Sequence, residues 1–262
     1  MNRDWPKTGL ILAAILLAAI FLTLAIYNSF LCDDAYITFR FAKHLAAGIG
    51  PIYNLGEHVE GYTNFLWMIL MALVIKLGGA PEIWSRIMSI CFSLGTVAIF
   101  LRHICFDRNQ KNILSYLFAF FLVLSSPFIA WSTGGLETAA FAFFLFAALI
   151  LFRGAFLSDN RRPFALSSSI FAVVALTRPE GVFVFGLALV FLLVSIPLRK
   201  ASSKQFISFV LPFLIIYGIY FLWRFSYYGK LFPNTFYIKE PSAILIPLGI
   251  QYYRRFLIGC PI

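Results

Sequence analysis

The sequence predicts an all-α, polytopic transmembrane helix bundle with juxtamembrane helices in its first extracytoplasmic loop. Three observations carry this reading. Of the 262 residues, 61% are hydrophobic and only 12% charged, whereas a soluble domain carries roughly 25% charged residues. Apolar runs near the roughly 20 residues that cross a bilayer recur from one end of the chain to the other, joined by short polar connections. The formal charge of +10 comes from Lys and Arg that punctuate the ends of these runs. They do not gather on one soluble face, which argues against a nucleic-acid surface and makes them topology signals.

In chain order, the predicted spans are 9–27, 83–101, 113–130, 138–152, 164–176, 182–198 and 206–225, with an eighth beginning near Ala243. The first run follows Arg3 and Lys7 as a signal peptide would. Its apolar stretch is long and lacks a small-residue cleavage site, so it is read as a retained span. The stretch from Phe65 to Leu77, about 13 residues, is short for a span and suits a juxtamembrane helix. Charge decides the matter. With that stretch outside the bilayer, segments 1–8, 102–112, 153–163 and 199–205 fall inside and hold eleven of the 21 Lys and Arg. Counting it as a span would move Arg161-Arg162 and Arg199-Lys200 outside, against the positive-inside tendency. The expected setting is therefore multi-pass in the plasma (inner) membrane.

This topology leaves only Asp4, Asp107 and Asp159 of the acidic residues inside. Acidic residues steer insertion weakly, so the gathering of the others on the outer side calls for catalysis or cation binding as its reason. The four cysteines, Cys32, Cys91, Cys105 and Cys260, have no metal-ligand spacing and define no disulfide framework.

The longest non-spanning region follows the first span. It opens at Asp33-Asp34-Ala35-Tyr36-Ile37, and Ala35, Phe39, Ala42 and Leu45 recur at helical spacing. A helix over about 34–48 is expected to lie along the membrane surface and to end at Gly48, Gly50 and Pro51. Asp33 is placed to cap this helix or to act in chemistry. If Asp33 caps, Asp34, turned about 100° away, remains free to face a cleft and becomes the favoured catalytic residue. The stretch from Tyr53 to Trp67 combines carboxylate, imidazole, amide and aromatic groups. Such groups suit sugars, although Tyr62 and Trp67 also fit an interfacial aromatic belt, which needs no ligand. His58 stands alone, so no zinc site is predicted.

Three later stretches return to the same side: Ser132 to Thr138, Thr177 to Gly181, and Tyr227 to Glu240. Glu137 is placed to cap the helix after it, and Arg178 is placed to pair locally with Glu180. Taken together, Arg178, Arg224, Lys230 and Lys239 beside the carboxylates provide cations for a leaving phosphate and a base for an acceptor.

Five motifs carry a resemblance across most of the chain: Asp33-Asp34-Ala35-Tyr36-Ile37, Glu60-Gly61-Tyr62-Thr63-Asn64, Gly135-Leu136-Glu137-Thr138, Thr177-Arg178-Pro179-Glu180-Gly181 and Pro233-Asn234-Thr235-Phe236. In these the chain resembles the polytopic glycosyltransferases of the GT-C superfamily, in particular the branch containing mycobacterial terminal arabinofuranosyltransferases. The resemblance implies transfer of a sugar from a polyprenyl-phosphate donor to a cell-envelope glycan or lipid acceptor on the extracytoplasmic side. It makes Asp33 or Asp34 the general base, places the donor phosphate on Arg178 or Lys239, and has Glu60 and Glu137 orient sugar hydroxyls. Tyr62, Asn64, Glu180 and Asn234 complete the candidate substrate-binding residues. An acidic pair also leaves room for a divalent cation, Mg or Mn, at Asp33 and Asp34. The chain departs from the pattern at Phe65, where proline is expected, and it stops where members of the branch continue, which predicts an N-terminal piece of a longer architecture. A flippase of lipid-linked sugars and a noncatalytic scaffold are the competing readings. Transporters usually hold their ionisable groups near the bilayer midplane, whereas here these groups cluster at the boundary.

Overall fold

The computed structural model describes residues 7–102, 113–157, 162–198, 201–238 and 245–259. Among the described residues there are helices and connections and no strand. Helix α1 (Lys7–Tyr27) is followed by α2 (Asp33–Ala46) and α3 (Phe65–Lys76). Helix α2 buries Ala35, Thr38, Phe39, Phe41 and Ala42 on one face. It stops where the Ala47 N–H returns to the Lys43 carbonyl and Gly48 takes φ of 77°, a backbone that glycine adopts without strain. Helix α4 (Pro81–Phe100) starts on a proline, whose missing N–H costs nothing at the first helical position.

The predicted span 113–130 is two helices, α5 (Ile113–Leu124) and α6 (Ser126–Trp131). Pro127 lies in the first turn of α6, whose N-cap, Ser125, is extended, with ψ of 117°. Proline has no N–H to bond back to the preceding turn and its ring crowds the carbonyl four residues earlier, so the run breaks here.

Four longer helices follow, α7 (Thr138–Phe156), α8 (Arg162–Thr177), α9 (Glu180–Ser195) and α10 (Ser203–Tyr228), and then α11 (Asn234–Ile238) and α12 (Leu245–Gly259). Helix α10 opens on a reciprocal pair of bonds between Ser202 and Gln205 and closes on Gly229 with φ of 68°, start and stop signals legible in the sequence. Pro212 lies inside it. The Phe213 N–H donates to the Ser168 hydroxyl of α8 at 3.1 Å, so a neighbouring helix satisfies backbone that the proline disturbs.

Helix α8 packs between α7 and α10 and also touches α9, while α7 packs on α4, and α2 pairs with α3. The α7–α10 core is aromatic. Phe152, Phe164, Phe171, Phe185, Phe209 and Phe213 meet in it, with the Phe185 and Phe213 rings stacked at 3.7 Å. A second core joins α2 and α3 through Phe41, Trp67, Met68 and Met71, and a third joins α1, α4 and α5 around Phe21, Val97 and Val123. Outside these cores, Phe183, Leu187, Leu211, Leu214 and Leu222 are more than half exposed. An apolar surface of this extent is what a bilayer solvates and water does not. Helices α4, α7 and α10 are each long and apolar enough to cross a membrane, and α1 from Leu12, α3, α8 and α9 are apolar but shorter. The protein is an all-α membrane helix bundle.

The turn between α8 and α9 depends on a close backbone approach. A Cβ at Gly181 would lie 2.5 Å from the Ala175 nitrogen and 2.7 Å from its Cα. Backbone atoms cannot swing aside as a side-chain tip can. Gly181→Ala is therefore expected to destabilise the detergent-solubilised protein by about 1–3 kcal/mol, the usual cost of overpacking. Gly186→Ala, with nothing within 4 Å of its Cβ, is expected to leave the melting temperature unchanged or raise it. Thermal unfolding of the two variants side by side checks this.

Candidate functional site

All five sequence motifs gather at one end of the bundle. The acidic pair comes first. The Cys32 N–H donates to the Gly134 carbonyl at 3.0 Å, which holds Cys32 extended as the N-cap residue and makes Asp33 and Asp34 the first two residues of the helix. Asp33 therefore does not cap. Both carboxylates are exposed, and neither has a hydrogen bond or ion pair among the described residues. Their position in the first turn is favourable for negative charge because the free N–H groups of the turn point toward it.

Beneath Asp34, one helical turn on, begins a chain of polar contacts. Thr38 and Asn64 bond each other, with Asn64 Nδ2 donating to Thr38 Oγ1 at 3.0 Å. The same amide donates to Glu137 Oε2 at 2.7 Å, and Glu137 Oε1 stands 2.7 Å from Arg178 Nε. Glu137 occupies the N-cap position of α7 but makes no side-chain cap bond. Its carboxylate reaches Arg178 in the turn after α8 instead, and Arg178 pairs with Glu137 rather than with its near neighbour Glu180. Thr38, Asn64 and Glu137 are buried, while the Arg178 side chain is 35% exposed. The two Nη groups of Arg178 make no hydrogen bond among the described residues. The result is a partly exposed guanidinium held at Nε by a buried carboxylate and lying 5.9 Å from the centre of the Phe141 ring, with its Nη donors unengaged.

Asn64→Leu removes the donor that satisfies a buried carboxylate oxygen. It is expected to cost about 1–3 kcal/mol, the penalty for stranding a buried polar group, and thermal unfolding against wild type measures it.

A second pair, buried on both sides, lies alongside. Arg224 Nε bonds Glu60 Oε1 at 2.9 Å and Oε2 at 2.8 Å. Arg224 Nη2 lies 2.6 Å from Oε2 but at an angle that makes no hydrogen bond, so this contact is ionic. Arg224 Nη1 donates to the carbonyls of Lys230 at 3.2 Å and Leu231 at 2.8 Å, and the Glu60 carbonyl accepts from the Asn234 N–H at 3.0 Å. Burial pushes the Glu60 carboxyl above its ordinary value, and the Arg224 guanidinium acts against that shift. Tyr62 completes the clasp, its hydroxyl 3.2 Å from that of Tyr228, which donates to the Pro51 carbonyl at 2.6 Å. Burial, and after it Tyr228, push the Tyr62 phenol up, so it stays neutral.

The structure thus joins Glu60, Asn64, Glu137, Arg178 and Asn234 to one another or to close neighbours. Tyr62 and Trp67 are not an interfacial belt. Both are buried, and Trp67 Nε1 donates to the Gly135 carbonyl at 3.0 Å. Glu180 is exposed in the first turn of α9. Lys239, Cys105 and Cys260 lie outside the described residues. Sequence reasoning missed Thr38 and Tyr228, which carry no signal beyond being polar residues in amphipathic or apolar runs. Arg224 carried a clearer signal: an arginine at the end of a long apolar helix requires a partner. Among the described residues no three His, Cys, Asp or Glu side chains converge as metal ligands.

Fold and site together define a membrane helix bundle whose polar end is organised by two buried carboxylates, each paired with a guanidinium, beside an exposed acidic pair. The chain is a distant, partial relative of two proteins named terminal beta-(1->2)-arabinofuranosyltransferase. The one from Mycobacterium tuberculosis is 24% identical over 241 residues, covering 86% of this chain and 37% of that protein. The one from Corynebacterium glutamicum is 25% identical over 256 residues, covering 87% of this chain and 36% of that protein. The chain therefore spans little more than a third of the length of the curated relatives it matches. No family model matches it, and no solved structure does.

Proposed function

We propose that this protein is a glycosyltransferase that moves a sugar from a polyprenyl-phosphate donor to a cell-envelope glycan or lipid acceptor, on the extracytoplasmic side of the plasma (inner) membrane. The observation that carries the reading is the likeness to two arabinofuranosyltransferases over most of this chain, and the polar groups that gather at one end of the bundle are of the kind the reaction needs. In the proposed reaction an Asp33 or Asp34 carboxylate takes the proton of the acceptor hydroxyl. The acceptor oxygen bonds the anomeric carbon as the bond from that carbon to phosphate breaks, and polyprenyl phosphate leaves. Arg178 suits the phosphate because its Nη donors are unengaged and its orientation is set by Glu137, so little ordering cost remains when an anion arrives. If a divalent cation, Mg or Mn, takes part, Asp33 and Asp34 would hold it, and it would neutralise charge on the leaving group.

The test is reconstitution of the full-length protein in liposomes with a polyprenyl-phosphate pentose and a pentofuranoside acceptor, with the product identified by mass spectrometry. Formation of a new glycoside is the expected result. Movement of the lipid-linked sugar across the bilayer without product would replace the reading with transport.

A further inference from the structure

An open pocket of about 260 Å³ lies between α2 and the connection that follows it, lined in part by Ile37, Phe41, Val59 and Gly61. None of these is a sequence-predicted site residue. The remaining wall is Tyr53, Asn54 and Glu57. We propose that this cavity is a saccharide subsite that takes one sugar ring, and, resting on the enzymatic reading above, that the ring is the acceptor's.

The size and the lining select the occupant. At about 260 Å³ the space falls just under the roughly 300 Å³ at which pockets for drug-sized ligands begin. That is room for a single five- or six-membered ring. A sugar ring has an apolar C–H surface and a rim of hydroxyls, and the pocket lining offers both kinds of group, apolar at Ile37, Phe41 and Val59 and polar at Asn54 and Glu57. At the edge, Asn54 Nδ2 donates to Glu57 Oε2 at 3.0 Å. This leaves Glu57 Oε1 as an acceptor and one amide hydrogen of Asn54 as a donor, which is the complement that neighbouring hydroxyls require. A polyprenyl chain would take the Glu57 carboxylate out of water without offering Oε1 a donor, which counts against it.

The wall is also set in advance. Arg40 Nε donates to the Tyr53 carbonyl at 2.8 Å, and its guanidinium lies 4.4 Å from the centre of the Tyr53 ring. Phe41 packs against the same ring at 5.6 Å. Preset walls lower the ordering cost of binding. The location is suited to transfer as well, because Ile37 of the pocket lining lies one helical turn from both Asp33 and Asp34. A ring held there would direct a hydroxyl at the acidic pair.

The experiment uses the full-length protein in lipid nanodiscs, with methyl pentofuranoside and methyl hexopyranoside as probes read by saturation-transfer NMR. Donor and acceptor KM values come from the transfer assay in parallel. Glu57→Gln is expected to weaken glycoside binding about tenfold, the loss of one charge-assisted hydrogen bond, and to raise the acceptor KM while the donor KM holds. Val59→Trp, which fills the space, is expected to abolish glycoside binding. Unchanged glycoside affinity and acceptor KM in both variants, with a wild type that transfers sugar, overturns the subsite and leaves the enzymatic reading standing. A rise in donor KM instead assigns the cavity to the prenyl chain and overturns it too. Glu57-dependent glycoside binding by a wild type that transfers nothing upholds the subsite and removes the enzymatic reading.

Discussion

Asp34→Asn is expected to lower sugar transfer by about a hundredfold or more while leaving the folded protein intact. General-base catalysis by a placed carboxylate contributes roughly 10²–10⁴ in rate, and an amide of the same shape cannot accept the proton. Asp34 lies in the first turn of α2, is exposed, and sits one turn ahead of Thr38, where the buried chain to Arg178 begins. Removing its charge breaks no contact. The stability change is limited to the interaction with the helix N-terminus, about 0.3–1 kcal/mol. Steady-state transfer and thermal unfolding of Asp33→Asn and Asp34→Asn, measured at matched protein amounts, separate the two aspartates. If both variants transfer at the wild-type rate, the acidic pair is not the catalytic centre.

Glu60→Gln is expected to have the opposite profile, with a large loss of stability. The Glu60 and Arg224 side chains are only 3% and 5% exposed, and removing one partner of a buried pair typically costs 3–5 kcal/mol because the other charge is left uncompensated. Arg224 keeps the Lys230 and Leu231 carbonyls, which places the expected cost near the lower limit, about 3 kcal/mol. For a chain of this size that is a fall in melting temperature of roughly 6–12 °C. The double variant Glu60→Gln with Arg224→Met removes the stranded charge and is expected to recover much of the loss. A double-mutant cycle on unfolding free energies measures the coupling. Additive single-variant costs would show that the pair does not hold α10 to the first loop.

These two outcomes separate residues that the sequence presented as one group. Asp34 and Glu60 are both outer-loop carboxylates in short motifs, and nothing in their neighbours distinguishes them. Their environments do: one carboxylate faces outward without a partner, and the other is clasped by a guanidinium 164 residues away. Glu137 shows the same point. As the residue before an apolar helix it reads as a cap, yet its carboxylate reaches Asn64, 73 residues earlier, and Arg178. Tyr62 and Trp67 read as surface aromatics because aromatic residues near a span usually are. The pairing of α2 with α3 covers them.

The sequence by itself determined that this is an all-α membrane bundle and a distant, partial relative of two arabinofuranosyltransferases. Those properties are written locally, in apolar runs, prolines, glycine stops and short ordered motifs, so each can be read within one or two helical turns. Tertiary structure alone decided which carboxylates are buried, which guanidinium keeps donors free, and where a ring-sized cavity opens beside the acidic pair. A buried charge must find its counter-charge in space because desolvation penalises it otherwise, and that partner can lie anywhere along the chain.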